Sequence, residues 1–421
     1  MQKSSEYAKE LDKNDELSHY RQKFYIPRNQ NGEEKIYLCG NSLGLQPIST
    51  RDYIEQELND WAQLGVDGHL EAKNPWLPYH EALSAPMAQI VGAKPSEVVI
   101  MNSLTANLHF LLVSFYNPTP SKFKILIEST TFPSDIYAIK SQLRFHGIDP
   151  EEGLLMLKPK EGNDFIEKTD IDEMLQSHGD EIAVILLGGV NYYSGQFFDL
   201  EYICRKGHEY GCIVGFDLAH GAGNIEPNLH EIGADFALWC TYKYLNSGPG
   251  ALSGIFIHEK HHHWNNKPRF EGWWGTNKAN RFKMKPDFEP IIGAEAWQLS
   301  NPPILAMAPI KASLEVFSEA GMPNLRKKSI QMTQFAIECF KDLDHRKINI
   351  LIPEKVEERG CQISIKVRQG DKKLFHYLEK NDVIADWREP DVIRIAPVPL
   401  YNTYSEIFRF SQIIQSGLLT L

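Results

Sequence analysis

The sequence predicts an α/β protein: a large domain around a mostly parallel mixed sheet, followed by a smaller C-terminal α+β domain. Three observations carry that prediction. The middle of the chain alternates short β-branched runs with longer helical patterns, the arrangement of parallel strands joined by crossover helices. Several of those runs are apolar almost throughout, as expected where helices cover both faces of a sheet. From about residue 303 the texture changes to two long amphipathic patterns, two strand-like pieces and a final helix.

Taken in order, residues 1–40 read as a helix and an arm. They are polar and charged and lack the apolar stretch of a signal peptide. The large domain is expected over 41–302. Its strands are Val98–Met101, 123–127, 182–187, 213–216, Phe236–Cys240 and 254–258, with an amphipathic helix over 106–115. Pro302-Pro303 then opens a helical pattern that reaches Glu319. A second pattern over 324–343 places Leu325, Met332, Ala336, Cys339, Phe340 and Leu343 on one face. Strands over 361–367 and Val392–Ile395 and a helix after Asn402 complete the small domain over 303–421.

Composition narrows the function. With 42% hydrophobic and 24% charged residues in 421, the chain has the make-up of a folded globular protein and not of a disordered one. A net charge of −11 argues against nucleic acid as partner, because neutralising phosphates takes clustered Lys and Arg. No apolar run approaches the ~18 residues of a membrane span. Six cysteines form no C-x-x-C pair and no zinc spacing, so they are expected as reduced, mostly buried thiols of a cytoplasmic protein. Cys361, in a strand-like run, belongs with them. His258, His261, His262 and His263 read as solvated surface, because adjacent loop histidines seldom hold a metal in a set geometry. No metal site is expected.

Two segments carry chemistry. In Ile213-Val-Gly-Phe-Asp217-Leu-Ala-His220 a strand ends in a carboxylate, where open α/β sheets bind ligands. In Leu238-Trp-Cys-Thr-Tyr242-Lys243-Tyr244 a lysine follows an apolar strand. Alone, Asp217 also reads as a helix cap and Lys243 as a snorkelling surface lysine. Together, a strand-end Asp and a Lys 26 positions on form the arrangement that holds pyridoxal phosphate. The lysine amine takes the aldehyde as a Schiff base, and the carboxylate keeps the pyridine nitrogen protonated. Gly248-Pro-Gly250 lets backbone pass close by. Asn102-Ser-Leu104-Thr105 before the helix over 106–115 suits a phosphate, though an ordinary helix cap fits it as well. Phe132, in Phe132-Pro-Ser-Asp135, can stack on a ring, or the segment is a plain Pro turn.

The chain resembles the kynureninase family of the fold-type I, aspartate aminotransferase-like pyridoxal-phosphate enzymes. The resemblance runs from Tyr37 to about Tyr401. It rests on Tyr37-Leu-Cys-Gly-Asn-Ser-Leu-Gly-Leu-Gln-Pro47, Phe132-Pro-Ser-Asp135, Gly215-Phe-Asp-Leu-Ala-His220, Tyr242-Lys-Tyr-Leu-Asn246, Gly272-Trp-Trp-Gly275, Ser300-Asn-Pro-Pro-Ile304 and Arg394-Ile-Ala-Pro-Val-Pro-Leu-Tyr401.

The resemblance implies hydrolysis of the Cβ–Cγ bond of L-kynurenine, or of 3-hydroxy-L-kynurenine, to an anthranilate and L-alanine. It matches Lys243 to the Schiff-base lysine, Asp217 to the pyridine partner, Tyr242 to acid–base help and Phe132 to the stacking ring. It adds Leu104, Thr105, Pro133, Ser134, Asp135 and His220 to the cofactor contacts, together with Trp273 and Asn301, which the family supplies across a homodimer interface. For the substrate it implies Ser42, His69, Asn301 and Arg394, the last as the clamp on the α-carboxylate. His69 and Asn301 match members that favour the 3-hydroxy substrate. One departure stands out: the family often has Ser or Thr where this chain has Gly188, so weaker cofactor contact is expected there. Another reaction on the same scaffold, such as a cysteine desulfurase or an aminotransferase, and a non-catalytic cofactor-binding scaffold are the competing readings.

Overall fold

The computed structural model describes residues 3–263 and 267–420. Its strands, numbered along the chain, are β1 Ile36–Tyr37, β2 Val98–Met101, β3 Lys124–Glu128, β4 Leu154–Leu157, β5 Ile182–Gly188, β6 Ile213–Asp217, β7 Phe236–Cys240, β8 Ser253–Ile257, β9 Ile348–Leu351, β10 Ile363–Val367, β11 Val383–Ile384, β12 Asp386–Arg388 and β13 Val392–Ile395. Seven of them form one sheet in the order β2-β8-β7-β6-β5-β3-β4. The run from β4 through β3, β5 and β6 to β7 is parallel, and β8 alone is reversed, pairing antiparallel with both β7 and β2. This is the mostly parallel mixed sheet that the alternating pattern predicts.

The central strands β5, β6 and β7 are buried nearly throughout, which explains their continuous apolar runs. Two glycines let them close up. A Cβ on Gly215 would lie 2.2 Å from the ring of Phe236, its neighbour on β7, and one on Gly254 would lie 2.3 Å from Trp239. Each large aromatic therefore packs over the glycine of the adjoining strand. The edge strand β4 escaped the sequence reading because it is only half-buried and lacks a clear period. The helix expected over 106–115 starts two residues earlier, as Leu104–Phe115.

A second, antiparallel sheet runs β12-β13-β10-β9. The helices Ile304–Ala320, Met322–Phe340 and Tyr404–Thr420 match the late helical patterns. They serve different cores. Met307, Ile310, Leu314 and Phe317 pack with Leu126, Ile185 and Phe216 of the large sheet. Met332, Phe335 and Phe340 pack instead with Ile363, Ile393 and Phe410. The N-terminal helix Ser5–Lys13 and β1 join that second core through Ala8, Ile36 and Leu38, and β1 pairs in parallel with β11. A buried ion pair, Lys328 Nζ to Asp15 Oδ2 at 2.7 Å, ties the same N-terminal region to the helix Met322–Phe340.

All six cysteines are free, and five of them are buried. Burial pushes the Cys361 thiol up to about 12, the behaviour of an inert structural thiol. The histidine-rich stretch corrects the surface reading. His261 and His262 are buried, and His261 Nε2 lies 2.8 Å from Asp235 Oδ1, an anchor that the local sequence does not reveal. Among the described residues, no helix is long and apolar enough to cross a membrane.

Candidate active site

The parallel strands end on one edge of the large sheet, where β3 ends in Glu128, β6 in Asp217, and β5 in Gly188 between them. A cavity of about 370 Å³ opens at that edge, as the rule for open α/β sheets requires. Ser42, Leu104, Thr105, Phe132, Ser134, Asp135, Asp217, His220, Tyr242, Lys243 and Arg394 all line it, although they come from six separate stretches of chain.

Lys243 follows β7 by three residues, and its Nζ lies 3.1 Å from His220 Nε2. Burial, and then the charges of Lys243 and Arg394, hold the His220 imidazole well below its ordinary range. His220 is therefore neutral, and its Nε2 accepts from the Lys243 ammonium. Asp217 caps no helix. It ends β6 and enters a tight turn, with Oδ1 accepting the Ala219 N–H at 2.7 Å. Asp135, in the first turn of helix Pro133–Phe145, lies against it. Burial, and then the Asp217 charge, raise the Asp135 carboxyl well above its usual range, and its Oδ1 is buried with no hydrogen-bond partner.

At the other end of the cavity two helix N-termini meet. Thr105 Oγ1 and Ser134 Oγ stand 2.8 Å apart, one at the start of Leu104–Phe115 and the other at the start of Pro133–Phe145. Ser103, the residue before the first helix, makes no side-chain cap, so the first amides are not satisfied in the ordinary way. Two helix starts with unspent N–H groups and two hydroxyls suit a phosphate. Burial raises the Tyr242 phenol above its ordinary range, so it is a proton-bearing donor at neutral pH. Arg394, on β13, is fully buried: Nη1 donates to Tyr192 O at 2.8 Å, and Nη2 pairs with Asp386.

Four of the sequence candidates lie elsewhere. Pro133 lines an adjoining cleft with Phe375 and Trp387. His69 keeps a local partner, Nδ1 to Val66 O at 2.9 Å, and stands edge-on to Trp76. Trp273 is 41% exposed, donates Nε1 to Arg281 O and meets the exposed ring of Phe282. Asn301 is exposed.

The cavity also contains residues that the sequence reading passed over, among them Glu128, Tyr192 and Arg388. Glu128 had a signal, since it ends β3 in an acid just as Asp217 ends β6. Its carboxyl accepts the Gly188 N–H through both oxygens at 3.2 Å. A Cβ on Gly188 would come within 2.9 Å of Glu128 Oε1, so this acid lies against the place where a side chain at 188 would begin.

Comparison with known proteins gives the family. A family model described as "Kynureninase C-terminal domain" matches residues 325–414. A kynureninase of Flavobacterium psychrophilum is 50% identical over 421 residues, covering 99% of both chains. The chain belongs to the kynureninase family. The kynureninase of Myxococcus xanthus is also 50% identical, over 98% of this chain and 97% of that one. The kynureninase of Mus musculus is 46% identical over 97% of this chain and 92% of that one. Among solved structures, a cysteine desulfurase of Thermococcus onnurineus has a TM-score of 0.76 at 15% identity, covering 92% of this chain and 95% of that one. At that distance the likeness is one of fold, and the kynureninase relatives rather than the desulfurase speak to the reaction.

Proposed function

We propose that the protein hydrolyses the Cβ–Cγ bond of L-kynurenine, giving anthranilate and L-alanine, at the cavity around Lys243. The enzyme is a kynureninase, and its cofactor is pyridoxal phosphate. The residues fit that group on two counts. The unpartnered Asp135 Oδ1 beside Asp217 leaves two buried carboxyls facing a place where a protonated ring nitrogen supplies the missing donor. The paired hydroxyls of Thr105 and Ser134 at two helix starts suit its phosphate. These carboxyls are the observation that carries the reading.

The roles follow from position. Lys243 would hold the aldehyde, and its amine is the base placed to take the substrate's Cα proton. Asp217 holds the ring nitrogen protonated, and Asp135 supports it. Leu104, Thr105, Pro133, Ser134 and His220 complete the cofactor contacts, and Phe132 stacks on the ring. When bound, pyridoxal phosphate supplies an electron sink for charge that develops on the substrate. Neutral His220 accepts a hydrogen bond from Lys243 and so orients the amine without adding a second positive charge. Tyr242, kept protonated by burial, donates a hydrogen bond to the phosphate or to the γ-carbonyl oxygen as water adds there. Arg394 clamps the α-carboxylate, and Ser42 lies close to it in the same cavity.

Substrate choice falls to His69 and Asn301, whose polar groups suit a ring hydroxyl, so that 3-hydroxykynurenine is preferred. Trp273 and Asn301 lie outside the cavity of their own chain, which supports a homodimer in which each protomer completes its partner's site. Six free cysteines fit a cytoplasmic enzyme.

The test is release of anthranilate, followed by its fluorescence, with L-alanine measured in step. Lys243→Ala is expected to lose both turnover and the absorbance of the lysine-linked cofactor. Retained turnover in that variant overturns the assignment. Equal specificity constants for kynurenine and its 3-hydroxy form overturn the substrate preference alone.

A further inference from the structure

A second arginine faces the cavity beside Arg394, and none of the roles above uses it. Arg388 ends the edge strand β12, which pairs antiparallel with β13 so that Asp386 stands opposite Arg394 and Arg388 opposite Val392. Residues two apart on a strand share a face, and directly paired residues share it too. Asp386 is therefore flanked by two guanidinium groups on one face of the sheet. It serves both: Asp386 pairs with Arg394, and its Oδ2 accepts from Arg388 Nη2 at 3.1 Å.

That arrangement leaves a charge and several donors unspent. Two cations share one carboxylate where the Arg394 side chain is fully buried and the Asp386 side chain is 11% exposed. The Nε atoms of Arg388 and Arg394 are both buried with no hydrogen-bond partner. Each terminal nitrogen of Arg394 already spends one of its two N–H donors, on Tyr192 O and on Asp386, so a neighbouring guanidinium adds donors that Arg394 lacks. A positive excess, fully buried at Arg394 and 34% exposed at the Arg388 side chain, with unspent N–H donors suits an anion that reaches it from the cavity.

We propose that Arg388 is the second arm of the substrate clamp: the α-carboxylate of the amino acid binds between Arg394 and Arg388, while Asp386 holds the two guanidinium groups in register. This rests on the reading of Arg394 as the carboxylate partner. Arg388 thereby helps restrict the enzyme to α-amino acids with a free carboxylate. It contributes equally to the bound substrate and to its later states, so its removal acts on affinity more than on turnover.

The experiment compares L-kynurenine with its α-carboxamide in the holoenzyme and in Arg388→Met, Arg388→Lys and Arg394→Lys. Binding of the product L-alanine is followed separately through the cofactor's absorbance, and thermal unfolding confirms that each variant is folded. Arg388→Met is expected to raise both KM for kynurenine and Kd for L-alanine about 10- to 100-fold, the range for one hydrogen bond to a charged group. Its kcat, and its handling of the carboxamide, are expected to change far less. Arg388→Lys keeps the charge without the fork and is expected to fall between. Wild-type affinity for both ligands in Arg388→Met overturns the proposal, as does an equal loss for acid and amide. If Arg394→Lys loses discrimination between acid and amide while Arg388→Met keeps it, the proposal falls and the reading of Arg394 stands. If neither variant loses it, both fall.

Discussion

Removing the Asp217 charge tests the electrostatics of the cavity more sharply than any other single change. Asp217 and Asp135 are 9% and 4% exposed, and burial with the Asp217 charge holds the Asp135 carboxyl well above its usual range. A negative charge on Asp217 therefore disfavours a second one on Asp135. A hydrogen bond to a charged group contributes about 1.5–3 kcal/mol, so its loss corresponds to a cofactor Kd raised roughly 10- to 150-fold. Asp217→Asn does more than remove that bond. It also relieves the repulsion that, after burial, disfavours a charge on Asp135, and Asp135 has a buried oxygen with no partner to offer in its place.

The single variant is therefore expected near the lower end, about tenfold, because Asp135 ionises and takes over part of the role. The double variant Asp217→Asn/Asp135→Asn has no substitute and is expected near the upper end or beyond it. With Asp135→Asn alone expected to cost only about 0.5 kcal/mol, the two changes couple by about 1 kcal/mol, well outside the range for independent sites. The assay is titration of apoenzyme with pyridoxal phosphate, read by absorbance, with anthranilate release measured in parallel. The Asp217→Asn variant is also expected to lose cofactor affinity as pH falls, since Asp135 must be ionised to act. Free energies that add to within about 0.4 kcal/mol, or a pH-independent Kd in Asp217→Asn, refute the reasoning.

Two further outcomes test ion pairs of the fold. Glu295 is opposed by its burial, but hydrogen bonds from His80 and Lys278 more than offset that and hold it down at about 2 from 4.5. A depressed carboxyl stabilises the fold above its unfolded pKa and stops doing so as pH falls through the folded value. Glu295→Gln is therefore expected to cost about 3 kcal/mol at pH 7 and about half that at pH 3, read from urea midpoints at the two pH values. Lys328→Met leaves the Asp15 carboxylate, 7% exposed at its side chain, without its cation. The expected cost is about 3–5 kcal/mol, and Lys328→Met/Asp15→Asn recovers most of it; denaturation of the three variants checks this, and no recovery in the double variant counts against it.

Local chemistry was readable along the chain. The apolar runs of β5, β6 and β7 announce a covered sheet because both of their faces are buried, so every position obeys one rule. Asp217 and Lys243 were legible because each sits just past such a run, where a polar group is conspicuous. Strand β4 was not, since a half-buried edge is under weaker constraint. His261 was misread as surface for a related reason: its partner Asp235 is 26 positions away, and nothing next to His261 betrays it.

Which of these groups meet was a matter for tertiary structure. Thr105 and Ser134 are ordinary helix-start residues until two helices bring their hydroxyls within 2.8 Å. Arg388 is an unremarkable edge-strand residue until the register of β12 on β13 sets it beside Asp386 and Arg394. The reason is physical. Burial and the residue types at strand ends are local properties, written in patterns of a few residues. Distance between charges depends on register and on the packing of segments far apart in the chain, and that distance decides whether two carboxyls share one proton or two arginines share one anion.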